Sequence, residues 1–132
     1  MHRILLSSLF FLPMAVSAGI TLYTDTQHLP VNPPADVRVI LLDGPEQLQA
    51  RFFGALPADS REAEAIVRAR MQSPEWGPMQ AELADRYREV AKAWSLGVKK
   101  YPAVVFDDHE VVYGTTDVAE AVRLRAQQGG LP

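Results

Sequence analysis

Four consecutive polar residues, Asp25, Thr26, Gln27 and His28, hold much of this chain's capacity for chemistry. A threonine hydroxyl can act as a nucleophile when an imidazole takes its proton and a carboxylate orients that imidazole. The segment has no strained nucleophile elbow to present such a hydroxyl, and a threonine near a histidine in proline-rich sequence also fits a solvated turn. A second set, Asp107, Asp108 and His109, could join His28 around a divalent ion, because neutral imidazole and carboxylate suit zinc and its neighbours. Adjacent acids are equally at home at the tip of a hairpin. The chain has no cysteine, so every thiolate mechanism is excluded. No catalytic residue, metal ligand or cofactor is expected from these sets.

Two other positions stand out for recognition. Proline lowers the cost of a cis peptide bond to about 0.5–1 kcal/mol over trans, and Tyr101-Pro102 sits directly before the apolar run Ala103 to Phe106. Spacing alone fits a trans proline opening a strand; the surrounding segment turns the expectation to cis. Trp76 lies between Pro74 and Pro78, in an expected break between helices where a large ring is hard to bury, and is a candidate partner contact. Asp25, Thr26, His28, Tyr101 and Pro102 complete the candidate partner-binding set.

The elements that must position these residues follow from periodicity. Ile20 to Thr24 alternates apolar and polar, as a strand does. Asp25 to Asp36 contains Pro30, Pro33 and Pro34 and reads as a loop. Val37 to Leu42 is nearly all apolar, the pattern of a strand buried on both faces, and is expected to be the central strand. Asp43, Pro45 and Glu46 then open a helix with an apolar stripe of Leu48, Phe52 and Leu56. Asp59 caps a second helix with Ala63, Ile66, Val67 and Met71 on one face. Met79, Leu83, Tyr87, Val90, Ala91 and Trp94 define the apolar stripe of a third helix, which Gly97 terminates. A hairpin follows, with strands at 103–106 and 111–113, and Asp117 opens the last helix.

Composition bounds the function classes. The chain has 132 residues, enough for one domain. Met1-His2-Arg3 followed by the apolar Ile4 to Val16 and by Ala15-Val16-Ser17-Ala18 is a secretory signal pattern, with cleavage expected after Ala18. The apolar run falls short of the roughly 20 residues a bilayer requires. Residues 1–18 are thus expected to be a signal peptide and 19–132 one domain in the periplasm. Without Arg3, 12 basic side chains face 16 acidic ones, and the resulting net charge near −4 disfavours nucleic acid as a partner. In a compartment that forms disulfides, a cysteine-free domain must be held by its core alone.

The segment Tyr101-Pro102-Ala103-Val104-Val105-Phe106-Asp107, with Val111-Val112-Tyr113-Gly114 after it, resembles the second half of a thioredoxin fold. That resemblance implies an α/β fold with a central mixed sheet of about four strands, a C-terminal β-hairpin and a final helix; the prolines of 25–36 depart from the plan by arguing against its usual first helix, and a longer, inserted helix pair from Asp59 to Ser95 is expected to cover the sheet in that helix's place. The resemblance also places Asp25 to His28 where a redox member carries its cysteines. Together with Tyr23-Thr24-Asp25, Val39 to Asp43 and Ala93 to Val98, the segment resembles a family of small exported proteins of integrating conjugative elements. That family is similar to periplasmic pilus-assembly proteins of conjugative type IV secretion systems. The resemblance implies a non-catalytic accessory role in DNA transfer, with other conjugation or secretion-system proteins as partners. Two alternatives stay open: a metal-dependent or hydrolytic enzyme using His28 with Asp25 or Asp107, and a periplasmic chaperone for one exported client.

Overall fold

A computed structural model describes residues 19–129; the expected signal peptide lies outside the described residues. The elements are β1 (Ile20–Thr24), β2 (Arg38–Leu41), α1 (Gly44–Phe53), α2 (Ser60–Met71), α3 (Trp76–Ser95), β3 (Ala103–Phe106), β4 (Glu110–Tyr113) and α4 (Val118–Gly129). The fold is α/β, with one mixed sheet in the order β2-β1-β3-β4. β1 runs parallel to β2 and antiparallel to β3, and β3 and β4 form an antiparallel hairpin. As the prolines between Asp25 and Asp36 require, no helix joins β1 to β2.

Strand side chains alternate between the two faces, and each face builds its own core. Leu22, Val104, Phe106 and Val112 pack with Val118 and Ala121 of α4. Tyr23, Ile40, Ala103 and Val105 pack with Ala93 of α3 and with Val98 just beyond it. Leu22 and Val104 are wholly excluded from solvent, and each such side chain stabilises the fold by about 1.5–3 kcal/mol relative to exposure.

Three expectations are corrected here. The apolar run at 37–42 is not the central strand: β2 is an edge, and β1 and β3 occupy the centre. An apolar run reports coverage of the two faces: Ile40 is buried in the cluster that includes Ala93 of α3, and Val39 is partly buried on the other face, without a second neighbouring strand. α3 is rotated from its expected face. Met79 and Ala93 are buried, whereas Tyr87 and Trp94 are 53% and 76% exposed. The inward face also carries Arg86 and Glu89, which pair with each other, so charge hides its true direction in the sequence. Nor does the helix pair cover the sheet as a unit. α2 has no buried residue and leans on α1, leaving the C-terminal part of α3 to supply the cover.

The helix ends mostly follow their capping residues. Asp59 Oδ1 accepts the backbone N–H groups of Arg61 and Glu62, and Asp117 Oδ1 those of Ala119 and Glu120. At the end of α3 the N–H of Gly97 donates to Trp94 O and that of Val98 to Ala93 O, at 3.0 and 3.1 Å. This paired closure needs a left-handed residue, and Gly97 has φ +78°. α1 stops at Phe53, with Gly54 turning the chain at φ 70°, so Leu56 falls beyond its stripe and is exposed.

Candidate functional site

The carboxyl end of β1 is built as a polar corner. Thr24 Oγ1 donates to His28 O at 2.6 Å, and the Gln27 N–H donates to Asp25 Oδ1 at 3.0 Å. His28 Nδ1 lies 2.7 Å from the same Asp25 oxygen. Asp43 then ties this turn to the start of α1: its carboxylate accepts the Thr26 N–H at 3.2 and 3.3 Å and the Thr26 hydroxyl at 2.5 Å. Asp43 occupies the N-cap position of α1 but makes no side-chain cap bond. The sequence pattern marks it as a helix cap; in the fold it is a strut. Its signal was visible as an acid seventeen residues from a hydroxyl, but only the parallel pairing of β1 with β2 brings the two together.

The Tyr101–Pro102 bond is cis. Because Ala103 pairs with Tyr23, Pro102 lies at the level of Thr24, and Tyr101 and Pro102 border the same corner as Asp25, Thr26 and His28. The Pro102 carbonyl accepts the Gly114 N–H at 2.9 Å, joining this loop to the end of the hairpin. Trp76 stands apart from the other five candidates. It begins α3, half-buried, and stacks against Phe52 and Phe53 with ring centroids 5.6 and 6.1 Å away. The aromatic cluster gives this ring a packing role.

The corner's chemistry is set by where its hydroxyls point. Thr26 donates to Asp43 and Thr24 to a carbonyl, so the imidazole of His28 pairs with a carboxylate while neither threonine hydroxyl engages it. Asp25 is 9% exposed. Burial alone would raise its pKa, but the hydrogen bond and charge of His28, with the N–H groups of Gln27 and His28, together hold it below the ordinary carboxylate value.

Asp107, Asp108 and His109 do not join this corner. Phe106 pairs with Ile20, so they lie at the opposite end of β1, four strand steps or about 13 Å from Thr24. A metal set combining them with His28 is therefore ruled out by the strand direction. Their role is in the turn: Asp107 and Asp108 have φ 51° and 54°, and the His109 N–H donates to Phe106 O at 3.0 Å. Two left-handed central residues are what a tight hairpin requires. Among the described residues, no cluster of three His, Asp or Glu side chains could hold a metal ion.

A separate cleft of about 410 Å³ opens between edge strand β2 and α3, lined by Tyr23, Arg38, Arg86 and Glu89 among others. Glu89 bridges Arg38 and Arg86 at 3.4 Å each, and Arg88 pairs with Asp85. Burial and the negative charge of Asp108 push the Tyr23 phenol above its ordinary value; Arg38 opposes them and Glu89 adds to the rise. With its charges paired internally, this cleft acts as a brace between strand and helix. The exposed aromatics lie elsewhere. Trp94, and Tyr101 at 50% exposure, flank a small apolar hollow next to the polar corner.

No helix among the described residues is long and apolar enough to cross a membrane. No curated protein and no solved structure matches the chain. One family matches, over residues 17–128, which span both cores, the polar corner and the exposed aromatics. The chain therefore belongs to the family described as "Protein of unknown function (DUF1525)".

Proposed function

We propose that this chain is a non-catalytic, thioredoxin-like accessory protein that works in the periplasm by binding other components of a conjugative type IV secretion system. The observation that carries the reading is the polar corner itself. In a thioredoxin-like arrangement the end of β1 faces the proline before β3, and a redox protein would place its cysteines there. Here the same place holds Asp25, Thr26 and His28, cross-braced by Thr24 and Asp43, with no cysteine to oxidise. The strand order β2-β1-β3-β4, the cis Tyr101–Pro102 bond and the helices on both faces support the thioredoxin-like part. The signal pattern at 1–18 supports export, and the resemblance of the Tyr101 to Val118 region to integrating-conjugative-element proteins supports the setting.

A hydrolytic reading has weaker support, because the hydroxyl nearest the His28–Asp25 pair in sequence is committed to Asp43. A rigid, internally bonded corner beside exposed aromatics suits a docking surface better than a reaction centre. The test is deletion of the gene in a donor strain, with mating frequency and co-purification as readouts. A fall in transfer, restored by the intact gene, is expected. Unchanged mating together with an absence of conjugation proteins bound to the tagged chain would overturn the proposal.

A further inference from the structure

Beside the polar corner, the end of α3 and the segment after it enclose a hollow of about 190 Å³. Leu42, Val90 and the buried Val98 form its apolar floor. Trp94 and Tyr101 stand at its mouth, and Lys99 and Lys100 complete the lining. The volume is below the roughly 300–1,000 Å³ of small-molecule sites and is of the size of one side chain. Trp94, at 76%, is more exposed than Leu29 at 64%, Tyr87 at 53% or Tyr101 at 50%. Tryptophan and tyrosine at the rim of an apolar hollow are the residues that dominate binding energy at protein contacts.

The hollow is built rather than incidental. Gly97 closes α3 and turns the chain sharply into the Val98 to Lys100 segment. The Tyr113 hydroxyl holds that segment from the hairpin, accepting the Lys99 N–H and donating to Gly97 O at 3.3 Å each. The Lys100 ammonium rests 5.2 Å from the centre of the Tyr113 ring. Among the described residues the lysine found in an ion pair is Lys92, with Asp108; Lys99 and Lys100 face no carboxylate within pairing distance. Two adjacent cations thus mark one spot on a chain whose net charge is −3.

We infer that this hollow receives one apolar side chain from an extended acidic segment of a partner protein, with Lys99 and Lys100 pairing the flanking carboxylates. The inference rests on the partner-binding reading above and names the site and the chemistry of the partner. Charge complementarity selects this occupant over a second copy of the chain. Among the described residues the most exposed aliphatic ones, Leu29 and Val31, have no acidic residue within three positions. Attraction between the lysines and flanking acids would steer the encounter and fix its register, while the ring of Trp94 excludes water from the seated side chain.

The full chain, labelled with nitrogen-15, is titrated with a capped heptapeptide of one central leucine and six glutamates. Two control peptides replace the glutamates by lysines or the leucine by serine. Shifts confined to residues 93–101 and neighbouring Leu42, with affinity at least tenfold above either control, are expected. Trp94→Ala should lower that affinity at least tenfold while leaving the rest of the spectrum intact, and the pair Lys99→Glu with Lys100→Glu should reverse the preference between acidic and basic peptides. Equal binding of the acidic and basic peptides, or an absence of shifts at 93–101 at millimolar peptide, would overturn the inference. A Trp94-dependent dimer in sedimentation would also overturn it, by making a second copy the occupant. A donor carrying all three substitutions separates this idea from the broader one. If deletion reduces transfer and the triple variant transfers normally, the hollow is not the docking site although the functional reading stands. If deletion changes nothing, that reading fails and the peptide titration alone decides the hollow.

Discussion

Replacing Asp43 by alanine tests whether this acid works as a strut or as a helix cap. In the structure its carboxylate receives two donors from Thr26, the N–H at 3.2 Å and the hydroxyl at 2.5 Å, and no N–H of α1. Hydrogen bonds to a charged group contribute about 1.5–3 kcal/mol each, net of exchange with water, toward the upper end where the groups are buried. Thr26 is half-buried, so its bonds fall toward the lower end, and Asp43→Ala should cost about 2–3 kcal/mol. Thr26→Val removes the hydroxyl bond and keeps the N–H, for a cost of about 1–2 kcal/mol. Because the two changes remove a shared bond, the double variant should lose about 1–2 kcal/mol less than the sum of the two singles. Urea denaturation followed by circular dichroism measures all four proteins, and an unchanged slope confirms that stability alone has moved. A helix cap would behave differently. Its loss costs about 1 kcal/mol and does not depend on Thr26. Additivity within about 0.3–0.5 kcal/mol would refute the strut.

The remaining expectations concern pH, backbone and solvent exposure. The folded pKa of Asp25 lies below its ordinary value, so the folded state favours the ionised form. The stability this provides is present above about pH 4, the ordinary carboxylate range, and is lost as pH falls through the lowered folded value. Asp25→Asn should therefore be less stable than the parent at neutral pH, with the difference closing in acid; a difference independent of pH would count against the His28 contact. Gly97→Ala forces a side chain into φ +78° with open space around it, and the backbone penalty alone should cost about 1–2 kcal/mol in thermal or urea melts. In fluorescence, Trp76→Phe should leave a red-shifted, readily quenched emission from Trp94. Trp94→Phe should leave a bluer, protected emission from Trp76, and the reverse pattern would mean that α3 is turned the other way.

Mutation at the charged cleft offers a further check on what that cleft does. Glu89→Gln removes the bridge between Arg38 and Arg86, whose three groups are partly exposed. Exposed ion pairs contribute about 0.2–1 kcal/mol, so the stability loss should be small and should shrink at high salt. Peptide binding at Trp94 should be unaffected.

Much of the architecture was legible because it depends on local patterns. Proline placement made 25–36 a loop, glycine at 97 ended α3, aspartates at 59 and 117 started helices, and the paired aspartates 107 and 108 made a tight turn. Each of these features follows from the conformational limits of a few adjacent residues. The edge position of β2 and the rotation of α3 were hidden for one shared reason: hydropathy records how much a residue is covered and not by what. Helices cover Ile40 as well as a neighbouring strand would, and Arg86 and Glu89 are tolerated on the inner face of α3 because they neutralise each other.

The absence of thiol chemistry, the order of the elements and the residue types available at the end of β1 are written in the sequence. Tertiary structure alone decided which of those residues meet. The parallel pairing of β1 with β2 delivers Asp43 to Thr26, and the antiparallel pairing with β3 sets Pro102 beside Thr24 and carries Asp107 to His109 to the far end of the sheet. Strand direction is fixed by long-range packing, at sequence separations where local preference carries no information. It is this packing that made the polar corner a braced surface and left Trp94 standing in solvent beside two lysines.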